Sequence, residues 1–116
     1  MRLRHVELFV ADPERSRRFW TEVLGAELEE VQAGGFTWLA LGEVGILLRP
    51  GEPEPTPEEY GRASVGLTLE VESLAETRSA LESRGLVFEG FDMTECCPTF
   101  RDPDGHWVQL VEAGSH

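Results

Sequence analysis

Residues 50–59 read Pro-Gly-Glu-Pro-Glu-Pro-Thr-Pro-Glu-Glu, and their four prolines divide the chain. Proline has no amide hydrogen and a fixed φ, so a run this dense cannot sit inside a hydrogen-bonded ladder. It is expected to be a connector. On either side of it the apolar pattern follows one order. Val6, Leu8 and Val10 alternate with His5, Glu7 and Phe9, the period of a half-buried strand. Asp12-Pro13 then opens a helix, Asp capping free amides and Pro fitting the first turn. Phe19, Trp20, Val23 and Leu24 share one face of that helix, and Gly25 stops it. Ala26 to Val31, Phe36 to Leu41 and Val44 to Arg49 read as three strands, with Gly34-Gly35 a turn.

After the connector the order repeats. Val65, Leu67, Leu69 and Val71 alternate as a strand, and Ser73 caps a helix that Gly85 ends. Leu86 to Phe91, Thr94 to Phe100 and Trp107 to Val111 are the later strands, and Asp102-Pro103-Asp104-Gly105 is a tight turn. The chain therefore reads as two strand-helix-strand-strand-strand modules, offset by about 60 residues. Their bounds are about 1–49 and 63–116, with a connector over about 50–62, all within one domain.

Composition narrows the function. A formal net charge of -12 argues against nucleic acid, which needs clustered bases. No stretch approaches the roughly 20 apolar residues of a membrane span. Met1 to His5 run straight into the first strand, so no leader is expected and the protein is expected to be cytoplasmic. Cys96 and Cys97 are adjacent. Neighbours on a strand point to opposite faces, so they are a poor disulfide and a poor zinc site, one thiol facing the core and one not.

Three segments carry a family resemblance. His5-Val6-Glu7-Leu8-Phe9-Val10-Ala11-Asp12 resembles the opening strand of vicinal-oxygen-chelate modules. Arg18-Phe19-Trp20-Thr21-Glu22-Val23-Leu24-Gly25 resembles their FYxxxLG helix, and Phe100 to Leu110 their F-x-DPDG-x-x-x-E-L ending. The chain is thus similar throughout to the vicinal oxygen chelate (glyoxalase/bleomycin resistance protein/dioxygenase) superfamily. The resemblance implies an α+β fold, two βαβββ modules forming a curved mixed sheet around a cup. It also implies a homodimer, with no nucleic acid or membrane as partner.

The resemblance further implies four metal-ligand positions, on the first and fourth strands of each module. They fall on His5, Leu47, Gly66 and Gln109, where the family usually has His, Glu, His and Glu. One imidazole and one neutral amide are too few donors for a catalytic divalent metal. No cofactor is therefore expected, and a metal completed by displaced Glu7 or Glu70 is the alternative. Glu112, three residues past Gln109, is expected on the opposite face. Strand alternation places His5, Glu7, Phe9, Phe36, Trp38, Leu47, Arg49, Thr68, Glu70, Trp107 and Gln109 on the cup face. This aromatic set with a few polar groups suits a small molecule. Arg49 either holds an anion or pairs with Glu7 or Glu70. His106 reads as an exposed turn residue. The leading expectation is a metal-independent protein binding an aromatic or cationic ligand. The alternatives are a metal-dependent lyase, isomerase or dioxygenase, and a non-catalytic dimeric accessory protein.

Overall fold

The computed structural model describes residues 1–92 and 96–114. The chain divides into two compact units, Met1–Glu54 and Pro55–His116, with the boundary inside the proline-rich segment. The first unit runs β1 (Val6–Val10), α1 (Pro13–Arg18), β2 (Glu27–Val31), β3 (Thr37–Leu41), β4 (Val44–Pro50). The second runs β5 (Gly66–Val71), α2 (Leu74–Ser83), β6 (Phe91–Asp92), β7 (Cys97–Arg101), β8 (Trp107–Glu112). Each unit is a βαβββ module with a four-stranded mixed sheet, in the orders β1-β4-β3-β2 and β5-β8-β7-β6. The first and last strands of each module pair in parallel; the other neighbours pair antiparallel. This is the α+β architecture that the doubled pattern predicts.

The local signals work as expected at both helix starts. Asp12 Oδ1 accepts the amides of Glu14 and Arg15 at 3.1 and 3.3 Å, ahead of Pro13. Ser73 Oγ accepts the Glu76 amide at 3.2 Å. Both helices stop at a glycine with positive φ, Gly25 at 84° and Gly85 at 95°, a conformation that a Cβ penalises. The amides just beyond reach back, Ala26 to the Trp20 carbonyl and Leu86 to the Leu81 carbonyl. Glu112 Oε1 accepts the Leu74 amide at 3.0 Å, putting a carboxylate where the helix presents free amides.

Apolar strand faces and helices close the two cores. Leu8, Val10, Trp20, Leu39, Ile46 and Leu48 are buried in the first unit, and Leu81, Phe100, Val108 and Leu110 in the second. Burial of each such side chain contributes about 1.5–3 kcal/mol.

Four features depart from the expected pattern. The first helix widens after Arg18 into a π turn, Phe19–Val23, in which the Leu24 amide reaches the Phe19 carbonyl at 3.2 Å. The Thr21 hydroxyl donates to the Arg17 carbonyl at 2.8 Å, taking an acceptor from the regular ladder. The strand expected over Leu86 to Phe91 shortens to Phe91–Asp92. Glu89 and Gly90 still bond Thr99, but Thr99 Oγ1 takes the Glu89 carbonyl and breaks the regular repeat. The strand expected from Thr94 begins at Cys97, and Thr94 lies outside the described residues. Pro50, expected in the connector, instead ends β4 opposite Val10.

Cys96 is exposed and Cys97 buried, with the sulfurs 2.8 Å apart. The contact with Cys96, then burial, pushes the Cys97 thiol up to about 11. At about pH 8 iodoacetamide is expected to alkylate Cys96 and spare Cys97, because the thiolate is the reacting form. Mass spectrometry of the labelled native protein checks this, and double labelling would contradict it.

His106, expected to be exposed, is tied into its turn. Asp102 is buried; its Oδ1 accepts the amides of Asp104 and His106 at 3.0 and 2.8 Å, and its Oδ2 lies 2.7 Å from His106 Nδ1. Burial opposes protonation of His106, but the Asp102 hydrogen bond and the charges of Asp102 and Asp104 outweigh it. The imidazole is thereby raised above its ordinary 6.5. A raised value means that the stability it adds is complete below the unfolded value and is lost as pH rises through the folded one. His106→Gln is expected to lower Tm more at about pH 5.5 than at about pH 9; equal losses in thermal melts at the two pH values would count against the ion pair.

Candidate functional site

The register of the first sheet assembles a polar-aromatic face. Glu7 lies opposite Leu47 and Leu47 opposite Trp38, while Phe9 lies opposite Arg49. Paired residues share a face, so all five belong to the side turned away from Leu8, Val10, Ile46 and Leu48. Glu7 is the hub. His5 Nε2 and Arg49 Nη1 each stand 3.0 Å from one of its oxygens. The hydrogen bond to His5, then that to Arg49, holds the Glu7 carboxyl below its ordinary 4.5 against a smaller opposing effect of burial.

Aromatic rings frame this triad. The Arg49 guanidinium lies over Phe9 at 5.7 Å and over Phe36 at 5.5 Å. The His5 ring meets Trp38 edge-on at 4.8 Å, and the Trp38 indole donates to Gln32 Oε1 at 3.1 Å. Phe9 is 46% exposed, so one aromatic surface stays open beside the ion pair. Leu47 is 4% exposed and presents no polar atom. His5 Nδ1 is buried without a hydrogen-bond partner among the described residues. A buried donor or acceptor left so costs roughly 1–3 kcal/mol.

The second sheet treats its expected site residues differently. Thr68 pairs with Gln109, and Gln109 Nε2 donates to Thr68 Oγ1 at 3.1 Å. Glu70 is exposed on the same strand. Trp107, expected as an open wall, is 2% exposed. Its indole donates to the Pro57 carbonyl at 2.9 Å, Tyr60 meets it edge-on at 5.9 Å, and the Arg101 guanidinium covers it at 5.0 Å. Arg101 is itself held by both oxygens of Glu89, which lowers the Glu89 carboxyl. Segment 55–62 is thus a strap on the second sheet. Its other side forms an open depression of about 460 Å³, lined by Pro55, Thr56, Pro57, Glu58, Glu59 and Arg62.

The family-type metal does not fit these donors. The first unit supplies His5 and a buried leucine at the two ligand positions. The second supplies Gly66 and an amide already bonded to Thr68. The displaced candidate Glu7 has both oxygens engaged by His5 and Arg49. Among the described residues, no group of three or more His, Cys, Asp or Glu is placed to hold a metal ion. Also among them, no helix is long and apolar enough to cross a membrane.

Tyr60 and Gln32 were not among the expected site residues. Both sit in polar, turn-rich stretches with no periodic signal. The one available cue for Tyr60 is that it is the only tyrosine in the chain, an aromatic stranded in an acidic connector.

Comparison with known proteins agrees with the fold. The model of the Glyoxalase/Bleomycin resistance protein/Dioxygenase superfamily matches residues 2–110. A glutathione transferase, FosA, from Serratia marcescens is 29% identical over 111 residues, 93% of this chain and 78% of its own. The antibiotic binding protein TnmS3 from Streptomyces sp. CB03234 superposes with a TM-score of 0.70 at 23% identity, covering 97% of this chain and 98% of its own. The fosfomycin resistance protein FosX from Listeria monocytogenes gives 0.77 at 16% identity, covering 94% and 88%.

The lowered Glu7 carboxyl carries a pH signature. Its stabilising effect is present above the unfolded value and is lost as pH falls through the folded one. Glu7→Gln is expected to lower Tm near neutrality and to converge with the parent below about pH 4. A constant offset across the range, read by thermal melts, would show that the ion pair is not the source.

Proposed function

Because the chain belongs to the Glyoxalase/Bleomycin resistance protein/Dioxygenase superfamily, we propose that it binds a small aromatic or aromatic-cationic molecule on the polar-aromatic face of its first module, without a metal. The observation that carries this reading is the preassembled stack of Arg49 between Phe9 and Phe36, tied to Glu7 and half exposed. A ring laid on Phe9 gains apolar contact and extends the stack. A ligand ammonium beside it meets the aromatic faces, next to a Glu7 carboxylate that His5 and Arg49 already share. Solved structures of the same fold described as an antibiotic binding protein and as a fosfomycin resistance protein support small-molecule recognition on this fold.

The rigid pairing matters for affinity. Arg49 and Glu7 are already ordered by each other and by two rings, so a ligand has little side-chain entropy to remove. The homodimer that the resemblance implies belongs to this reading and is checked by sedimentation equilibrium.

A thermal-shift series of neutral and quaternary-ammonium aromatics, with benzyltrimethylammonium as the reference cation, tests the proposal. A bound ligand raises apparent stability by mass action. Phe9→Ala is expected to weaken binding by roughly tenfold and to lower the unliganded Tm modestly, since the ring is partly covered and packs on Arg49. Failure of every aromatic to shift Tm, or equal affinity in Phe9→Ala, would overturn it.

A further inference from the structure

The strap 55–62 does more than cover Trp107. A Cβ on residue 66 would lie 2.5 Å from the Tyr60 hydroxyl oxygen, 2.9 Å from Cζ and 3.3 Å from Cε1. The Tyr60 ring thus stands where a side chain of residue 66 would begin, and a Cβ there would require the ring to shift. The strap is fixed at two further points. The Trp107 indole bonds the Pro57 carbonyl, and Gly105 gives Thr56 the room that a Cβ would take.

We propose that Tyr60 acts as the side chain of position 66, presenting a phenol where the strand has nothing, and that it is the specificity-determining residue of the second module. Gly66 pairs with Trp107, and one step along, Thr68 pairs with Gln109. Residues two apart on a strand share a face, so the phenol stands on the face that carries Thr68 and Gln109. Thr68 Oγ1 accepts the Gln109 amide, which leaves its own proton to donate. The Tyr60 hydroxyl has no hydrogen-bond partner among the described residues and also donates. Gln109 Oε1 remains as an acceptor. Two hydroxyl donors, one amide oxygen and the nearby Glu70 carboxylate suit a neutral carbonyl or carboxamide and disfavour an anion. A phenol at neutral pH is a weak metal ligand, so the same substitution of group shuts out the divalent-ion chemistry of an imidazole at this place.

The chain has one tyrosine, so tyrosine signals report this residue alone. The experiment uses ring-labelled tyrosine NMR on the full chain, with thermal melts of Gly66→Ala, Tyr60→Ala and the double variant. Gly66→Ala is expected to expel the ring, moving its signals towards free tyrosine as the edge contact with Trp107 is lost. Tyr60→Ala added to Gly66→Ala then lowers Tm by much less than it does alone. Unshifted signals in Gly66→Ala, or strictly additive losses, overturn the shared position.

Benzamide and benzoate are then titrated. Benzamide is expected to move the Tyr60 signals more than benzoate, and Tyr60→Phe to weaken benzamide by about fivefold. Benzamide that leaves the Tyr60 signals unmoved, or binds Tyr60→Phe as tightly, overturns the recognition role. Phe9→Ala run in parallel separates the two modules. Loss of aromatic binding there with an intact Tyr60 response bears on the first module alone.

Discussion

The parallel pairing of the first and last strands in each module is the constraint on which the rest depends. A parallel pair cannot be closed by a tight turn, so the chain must leave the sheet and return. α1 and α2 make those excursions, and covering one sheet face is what turns the opposite face outward. In the first module this sets Glu7 beside Leu47 and Phe9 beside Arg49. In the second it sets Gly66 beside Trp107 and Thr68 beside Gln109. These strand residues lie at distant points of the sequence, yet ladder register sets each beside its neighbour.

On that scaffold the two modules have diverged in how they finish the open face. The first keeps a charged hub, with one carboxylate serving an imidazole and a guanidinium and aromatic rings beside them. The second has no such hub. Its indole is sealed by the strap and by Arg101, which Glu89 holds, and its remaining polar groups are hydroxyls, an amide and the exposed Glu70 carboxylate. Leucine at position 47 and glycine at position 66 give a physical reason that neither face repeats the other.

Much of the fold was legible because its signals are local. Asp12, Ser73 and the two stop glycines act within a few residues of themselves, and alternation in β1 and β5 needs no partner to be recognised. The pairing of Arg49 with Glu7 was one of the options that strand order allowed. The remainder depended on groups far apart in sequence. Trp107 follows the alternation rule for an outward residue, but its cover comes from Pro57 and Tyr60, some 50 positions earlier. The π turn at Phe19–Val23 and the shortening of β6 come from threonine hydroxyls that intercept carbonyls, a choice that periodicity does not encode. His106 looks like surface until the buried carboxylate four residues back is placed against it.

The bond from Glu112 to the Leu74 amide joins the end of β8 to the first turn of α2. Load applied at the C-terminus therefore does not peel the last strand by itself. It passes through one side chain to the helix start, and through the parallel ladder to β5. Strand, helix and neighbouring strands are thus joined at that end of the second module, because β8 lies inside the sheet between β5 and β7.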